Sequence, residues 1–204
     1  MRSTWVRRRL YDDVRMTLWL VRHARPLVEA GVCYGALDVA ADRQATQAAA
    51  HKLAAALPFG IAVTSSTLQR CELLAQALYA LRPDLPPIFD PRLREMDFGH
   101  WEGQHWDAIG QPALEAWTAD FAQHRPGGGE SVQLFMQRVA AAWDTVGTRP
   151  TLWITHAGVA RACKLLASGL RAIQRADQWP HAAPGYGEWL TLEPAIQAQM
   201  QPDH

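Results

Sequence analysis

Two guanidiniums and two imidazoles lie at the ends of predicted strands or at the starts of predicted helices. Arg22 and His23 end a short apolar run, 18–21, which predicts a buried strand. Arg70 lies in the first turns of a predicted helix, and His156 directly follows a later predicted strand. Because strand-to-helix junctions share one edge of a parallel sheet, we expect these side chains to converge. Such a cluster predicts a site for an anion.

A phosphoryl group fits this cluster better than a single carboxylate does, because its charged oxygens are spread in space. The backbone amides that begin the helix after His156 would add donors for the same anion. A neutral imidazole at His23 is a candidate nucleophile toward phosphorus, and Glu95, in a polar and aromatic loop, is a candidate general acid. Taken alone, Arg22 and His23 are also compatible with a salt-bridged strand end.

The motifs of several other nucleotide-binding, metal-dependent and phosphatase chemistries are missing from this chain. The sequence has no GxxxxGK run for a nucleotide P-loop, no GxGxxG run for a dinucleotide and no HExxH run for zinc. A cysteine phosphatase needs an arginine six residues after its cysteine, whereas Val39, Ala77 and Gly169 stand at that offset here. The DxD pattern of Mg-dependent phosphotransferases is also missing. We therefore predict a reaction without a metal ion or cofactor.

Composition narrows the class of protein. The 204 residues are 49% apolar, which suits a globular protein with a substantial core. Twenty basic and twenty acidic residues leave no net charge, which argues against non-specific nucleic-acid binding. Cys33, Cys71 and Cys163 are predicted to be reduced core thiols. No secretory signal or transmembrane run is visible, so we expect a cytoplasmic protein without a membrane partner.

The elements alternate in a way that predicts the fold class. Residues 1–15, rich in arginine, are predicted to be a disordered tail, and 16–204 a single domain. Strands alternate with helices, so right-handed crossovers would build a largely parallel sheet with helices on both faces, a three-layer α/β/α sandwich. Asp42 and Ser131 are predicted helix caps. The predicted strands are 18–21, 61–64, 87–89, 151–155 and 188–192, and the polar, aromatic segment 92–111 is predicted to be a long loop.

Four ordered motifs resemble those of the histidine phosphatase superfamily, whose branches include phosphoglycerate mutases and acid phosphatases. They are RH at 22–23, SSTLQR at 65–70, LREMDFGHWEG at 93–103 and THAGV at 155–159, and the resemblance runs from about 17 to 192. It implies a phosphoglycerate mutase-like fold. It also implies that His23 accepts the phosphoryl group and that Glu95 transfers protons. The remaining phosphate-binding residues that it implies are Arg22, Arg70 and His156.

Within the superfamily, the segments 25–39, 95–103 and 126–131 are similar to the α-ribazole-5′-phosphate phosphatases of cobalamin biosynthesis. This resemblance implies that the partner is a small phosphorylated metabolite, with α-ribazole 5′-phosphate as the favoured substrate. Tyr34, Gly35 and Trp101 are then predicted to line the substrate pocket. Trp101, Trp106 or Trp117 could stack on the benzimidazole base, or these tryptophans could simply close the loop over the site.

Several alternatives stay open at this point. A phosphoglycerate mutase or a broad sugar-phosphate phosphatase is the alternative enzyme, although Glu29 lies where mutases tend to have an asparagine that contacts phosphate. A phosphate-binding regulatory module without turnover is the alternative outside enzymes, and the presence of His23, Glu95 and His156 argues against it. An RNA binder that uses the basic tail is disfavoured. The sequence does not indicate an oligomeric state.

Overall fold

The structure, a computed structural model, describes residues 17–193, so the predicted tail lies outside it. Five strands form one sheet in the order β3-β2-β4-β1-β5. Neighbouring strands are parallel except for β5, which pairs with β1 in the antiparallel direction. The predicted, largely parallel sheet is therefore confirmed. The strands are β1 Leu18–Arg22, β2 Ala62–Ser65, β3 Pro87–Phe89, β4 Thr151–Thr155 and β5 Trp189–Leu192.

Helices cover both faces of this sheet. The α-helices are α1 Arg43–Ala56, α2 Gln69–Leu81, α3 Trp106–Ile109, α4 Gln111–Ala119, α5 Val132–Trp143 and α6 Ala157–Ala167. One core cluster joins Val21 and Ile154 of the sheet to α1 and α2, and a second joins Leu20 and Trp153 to α5 and α6. Strand β4 is buried along its whole length because it lies between these two layers. The three-layer α/β/α architecture is thus confirmed.

Local chemistry accounts for where two of the helices, α1 and α5, begin. The Asp42 carboxylate accepts a hydrogen bond from the Ala45 backbone N–H at 2.7 Å, and the Ser131 hydroxyl accepts one from the Leu134 N–H at 3.3 Å. Both predicted caps are confirmed. The buried thiols Cys33, Cys71 and Cys163 are free, also as predicted. Within residues 17–193, none of the helices has the length and apolar character needed to cross a bilayer.

The segment 92–111 is more ordered than the predicted loop. It contains a 3₁₀ turn at Gly99–Trp101 and the short helix α3, and Gly110, with φ of +85°, separates α3 from α4. The segment lies directly on the glycine-rich run 126–129, where the Glu130 N–H donates to the Asp97 carbonyl at 2.7 Å. Contact between the backbones of 92–111 and 126–129 gives this loop its shape. The spacing of apolar residues in the sequence does not indicate such a contact.

Candidate active site

The sheet edge brings the two predicted guanidiniums and the two predicted imidazoles together. Arg22 and His23 come from the carboxyl end of β1, His156 from the end of β4, and Arg70 from the first turn of α2. The His23 and His156 ring centroids are 5.1 Å apart. Arg70 Nε lies 3.3 Å from His23 Nε2. The site is therefore assembled from side chains that are up to 134 positions apart, counting from 22 to 156.

Hydrogen bonding defines the tautomer of His23. Its Nδ1 lies 2.7 Å from the Ala24 carbonyl oxygen, which can only accept, so Nδ1 carries the proton. Its Nε2 receives the Arg70 Nε–H, which can only donate, so Nε2 carries the lone pair. Burial, followed by the nearby Arg70 charge, lowers the pKa of His23 to about 3. The ring is thus neutral, with its lone pair on Nε2, where it accepts the Arg70 hydrogen bond.

Arg70 is fully buried and is bound by carbonyl groups instead of carboxylates. Its Nη1 donates to the Leu37 carbonyl at 2.9 Å and its Nη2 to the Gly35 carbonyl at 2.6 Å. No ion pair to Arg70 is present among residues 17–193. A buried guanidinium without a counter-charge favours an anionic ligand, because the ligand would supply the missing negative charge.

His156 is buried as well and packs against the segment that begins α2. Its Nε2 lies 2.9 Å from the Ser66 hydroxyl and 3.4 Å from Cys71 Sγ. Burial, together with the charge of Arg70 and the neighbouring His23, places the pKa of His156 well below its ordinary value. The site therefore combines two neutral imidazoles with two permanent cations.

Acidification should destabilise the protein through these two histidines. Their pKa values are lower in the folded state than the 6.5 of an ordinary histidine, so the unfolded chain binds more protons below about pH 6.5. The free energy of unfolding should fall as the pH drops from 7 toward 4, by up to about 1.4 kcal/mol per pH unit for each group. Urea unfolding at several pH values measures this slope. His23→Gln, which cannot titrate, should make it shallower, and an unchanged slope would contradict the assignment.

Glu95 is bound to the first turn of α6. Its Oε2 accepts a hydrogen bond from the Gly158 N–H at 3.0 Å, and its Oε1 accepts one from the Met96 N–H at 3.2 Å. A side chain at position 158 would collide with this carboxylate, which explains the glycine. The expectation that the α6 amides serve the anion is therefore wrong for Gly158, because Glu95 occupies that donor.

The backbone around Glu95 is held by an arginine that sequence analysis did not identify. Arg138 on α5 donates to the carbonyls of Arg92 at 2.8 Å, of Arg94 at 2.9 Å and of Glu95 at 3.4 Å. The same guanidinium forms a two-point ion pair with Glu130, at 2.9 and 2.7 Å. Carbonyl contacts of this kind depend on tertiary packing, and no spacing in the sequence predicts them.

A cavity of about 740 Å³ opens beside His23 and Glu95. Beyond the charged groups its wall is largely apolar, with aliphatic side chains and an aromatic part that is formed by Phe98, Trp106, Trp117, Phe121, Phe135 and Trp179. Trp117 and Phe121 stack with their ring planes 21° apart. The volume is in the range typical of small-molecule sites, about 300 to 1,000 Å³. The cavity can therefore hold a large, planar, apolar leaving group next to the imidazole.

Two of the predicted pocket residues lie elsewhere. Tyr34 lines the cavity. Trp101 is not among the described residues of the wall: it is buried behind it, with its ring edge-on to Trp106 and Trp117. Gly35 is also not in that wall, and its carbonyl binds Arg70 instead. Trp101 thus supports the wall from behind, and Gly35 helps to place Arg70.

Tyr186 is a second residue that sequence analysis missed. Its ring lies 5.6 Å from the His23 ring, and its hydroxyl is 2.7 Å from that of Tyr34. Because β5 is antiparallel, the start of this strand lies at the edge where the parallel strands end. The apolar run at 188–192 predicts a strand but does not predict its direction. The antiparallel direction is what brings Tyr186 to the site.

Known proteins resemble this chain over most of its length. An adenosylcobalamin/alpha-ribazole phosphatase of Salmonella typhimurium is 29% identical over 188 residues, which cover 87% of this chain and 90% of the relative. A glucosyl-3-phosphoglycerate phosphatase of Mycolicibacterium vanbaalenii is 31% identical over 204 residues, with 91% and 87% covered. The crystal structure of TTHB049 from Thermus thermophilus superimposes with a TM-score of 0.67 at 31% identity, covering 86% of this chain and 92% of that one.

The family model of the histidine phosphatase superfamily (branch 1) matches residues 18–190. This range includes all four motifs and every side chain of the assembled edge. The protein is therefore a phosphoric monoester hydrolase that belongs to the histidine phosphatase superfamily.

Proposed function

We propose that the protein hydrolyses α-ribazole 5′-phosphate, in cobalamin biosynthesis, through a phosphohistidine intermediate on His23. The observation that supports this chemistry most strongly is the Nε2 lone pair of His23 in contact with Arg70, a guanidinium that has no carboxylate partner in residues 17–193. The observation that supports the substrate is the aromatic wall of the adjoining cavity.

In the first step, the Arg70 Nε–H turns from Nε2 of His23 to a phosphoryl oxygen, which releases the Nε2 lone pair. Nε2 then forms a bond to phosphorus while the bond from phosphorus to the leaving oxygen breaks. The ring becomes positively charged, and its Nδ1–H remains bonded to the Ala24 carbonyl, which stabilises that charge. Arg22, Arg70 and His156 bind the phosphoryl oxygens through the transfer. No metal ion is required, because the two guanidiniums supply the positive charge.

Glu95 acts on protons in both steps. In its protonated form it gives a proton to the departing alcohol, and the resulting carboxylate then removes a proton from the attacking water. The water oxygen bonds to phosphorus, the bond to Nε2 breaks and inorganic phosphate leaves. The hydrogen bonds from Gly158 and Met96 hold the carboxyl group in one orientation at the cavity wall during both transfers.

The shape and chemistry of the cavity favour an aromatic base over a sugar as the distal part of the substrate. A glucosyl group carries several hydroxyls, and those that face the aromatic side chains would lose hydrogen bonds to water. A benzimidazole presents a planar π face that can stack on Trp106 or Trp117. The ribose would then lie between the stacked base and the phosphoryl site.

The experiment that tests this function compares four esters: α-ribazole 5′-phosphate, ribose 5-phosphate, glucosyl-3-phosphoglycerate and 3-phosphoglycerate. Ribose 5-phosphate is the matched control, because it corresponds to α-ribazole 5′-phosphate without the benzimidazole base. We expect kcat/KM for α-ribazole 5′-phosphate to exceed that for ribose 5-phosphate by about 10-fold or more, as base stacking predicts. Equal rates for these two esters, or a preference for the glucosyl ester, would contradict the substrate. Turnover of none of them would contradict the proposed substrate as well.

Truncating the wall should reduce this preference selectively. With Trp117→Ala, the ratio of kcat/KM for α-ribazole 5′-phosphate to that for ribose 5-phosphate should fall by about 10-fold, because a stacking surface is lost. Trp117 also packs against Phe98 and Phe121, so the variant can loosen the wall. Any general loss of activity affects both esters and cancels in the ratio. A ratio that stays unchanged would show that the base does not contact this ring.

A further inference from the structure

We infer that Tyr186 is a positioning residue that holds the Arg22 guanidinium in its phosphate-binding orientation. The inference rests on the proposed function, because it takes Arg22 to bind the phosphoryl group. Tyr186 lies outside the four sequence motifs, in the segment that leads into β5.

Arg22 has few other restraints, and one of them is the Tyr34 hydroxyl, which interacts with its guanidinium. Its Nη1 donates one long hydrogen bond, 3.4 Å, to the Pro184 carbonyl, and its buried Nε has no partner in the described part of the chain. No ion pair to Arg22 is found there either. Arg70, by contrast, is fixed by two short carbonyl contacts. An arginine so weakly held by hydrogen bonds keeps much of its rotational freedom, so something else must orient it before it can bind phosphate well.

The Tyr186 ring supplies that restraint. Arg22 Cζ lies 3.8 Å from the ring centroid, a distance at which the planar guanidinium stacks on the π face. The ring is fixed at its outer end by the hydrogen bond between its hydroxyl and that of Tyr34, at 2.7 Å. The tyrosine therefore restricts rotation of the Arg22 guanidinium by covering one of its faces. The N–H groups at the edge of the guanidinium stay available for phosphoryl oxygens.

The backbone of Tyr186 is fixed relative to Arg22 itself. The Gly187 N–H donates to the carbonyls of both Arg22 and His23 at 3.1 Å, and the Arg22 N–H donates to the Glu188 carbonyl at 3.0 Å. Gly187 has φ of +71°, a conformation that favours glycine, and this turn brings Tyr186 back over the site. Backbone hydrogen bonds thus join the strand end to the segment that carries the tyrosine, as a positioning role requires.

A double-mutant cycle tests the inference, with 4-nitrophenyl phosphate as the substrate and inorganic phosphate as a competitive inhibitor. Tyr186→Leu in the 204-residue chain should lower kcat/KM ~3- to 30-fold and weaken phosphate inhibition similarly, as loss of a cation–π contact predicts. Tyr186→Phe should recover most of the loss, because it keeps the ring. Tyr79→Leu, at an exposed tyrosine on α2, is the matched control and should behave as wild type.

The decisive comparison repeats Tyr186→Leu in an Arg22→Met background. If Tyr186 acts through Arg22, its effect there should shrink to less than about 2-fold in both kcat/KM and phosphate inhibition. An equal effect in the two backgrounds would overturn the inference while leaving the proposed function intact, since Tyr186 would then act on cavity shape or folding. Full activity of Arg22→Met alone would overturn the phosphate-binding role of Arg22 and the inference with it. Thermal melting of each variant separates unfolding from these outcomes.

Discussion

Replacing His23 by alanine is expected to lower kcat by at least about 10³-fold for every phosphomonoester that the enzyme hydrolyses. The nucleophile is lost, and water would have to attack phosphorus directly. Phosphate should still bind within about 10-fold of its wild-type affinity, because Arg22 and Arg70 remain. Single-turnover rates and phosphate inhibition measure these two effects separately.

The matched control for this variant is His51→Ala, at an exposed histidine on α1. It should leave kcat unchanged. If His23→Ala retained activity within about 10-fold of wild type, His23 could not be the nucleophile. A loss of phosphate binding equal to the loss of kcat would instead indicate that the substitution had disrupted the site.

Glu95→Gln should have a large effect that depends on the leaving group. For an alkyl ester such as ribose 5-phosphate, we expect kcat to fall by about 10²- to 10⁴-fold, because the alkoxide leaves without a proton. For 4-nitrophenyl phosphate the fall in the first step should be much smaller, because nitrophenolate is a stable anion that needs no proton. Burst kinetics of the nitrophenol product report that step directly.

Two checks apply to the Glu95 variant. A glutamine can accept only one of the hydrogen bonds that Gly158 and Met96 donate, so thermal melting must show that the fold persists. Glu72→Gln on α2 is the control for a change of charge near the site, and its rates should match wild type. The same loss for both esters would contradict a role for Glu95 as general acid.

The edge of the sheet could be predicted from sequence because it depends on local signals. Apolar runs that end in polar residues placed Arg22, His23 and His156 at strand ends, and helical periodicity placed Arg70 at the start of a helix. Parallel strands then bring such ends together whatever their separation in the chain. The position of Glu95 came from the resemblance and the loop chemistry, since no periodicity marks it.

The remaining parts of the site depend on tertiary contacts that the sequence does not report. Arg138 binds three backbone carbonyls, and a carbonyl has no residue-specific signature. Tyr186 reaches the site because β5 is antiparallel, and direction cannot be read from an apolar run. The resemblance predicts Trp101 as a pocket residue, but it is buried behind Trp106 and Trp117.

The central claim is that phosphate passes through a covalent bond to His23, and trapping that species tests it most directly. The enzyme is mixed with an ester carrying labelled phosphate, quenched in alkaline denaturant within the first turnover, and digested for mass spectrometry. We predict label on the peptide that contains His23, stable in alkali and lost in acid, as expected for a phosphorus–nitrogen bond. Continued hydrolysis with no labelled protein, or with acid-stable label on another side chain, would contradict the account.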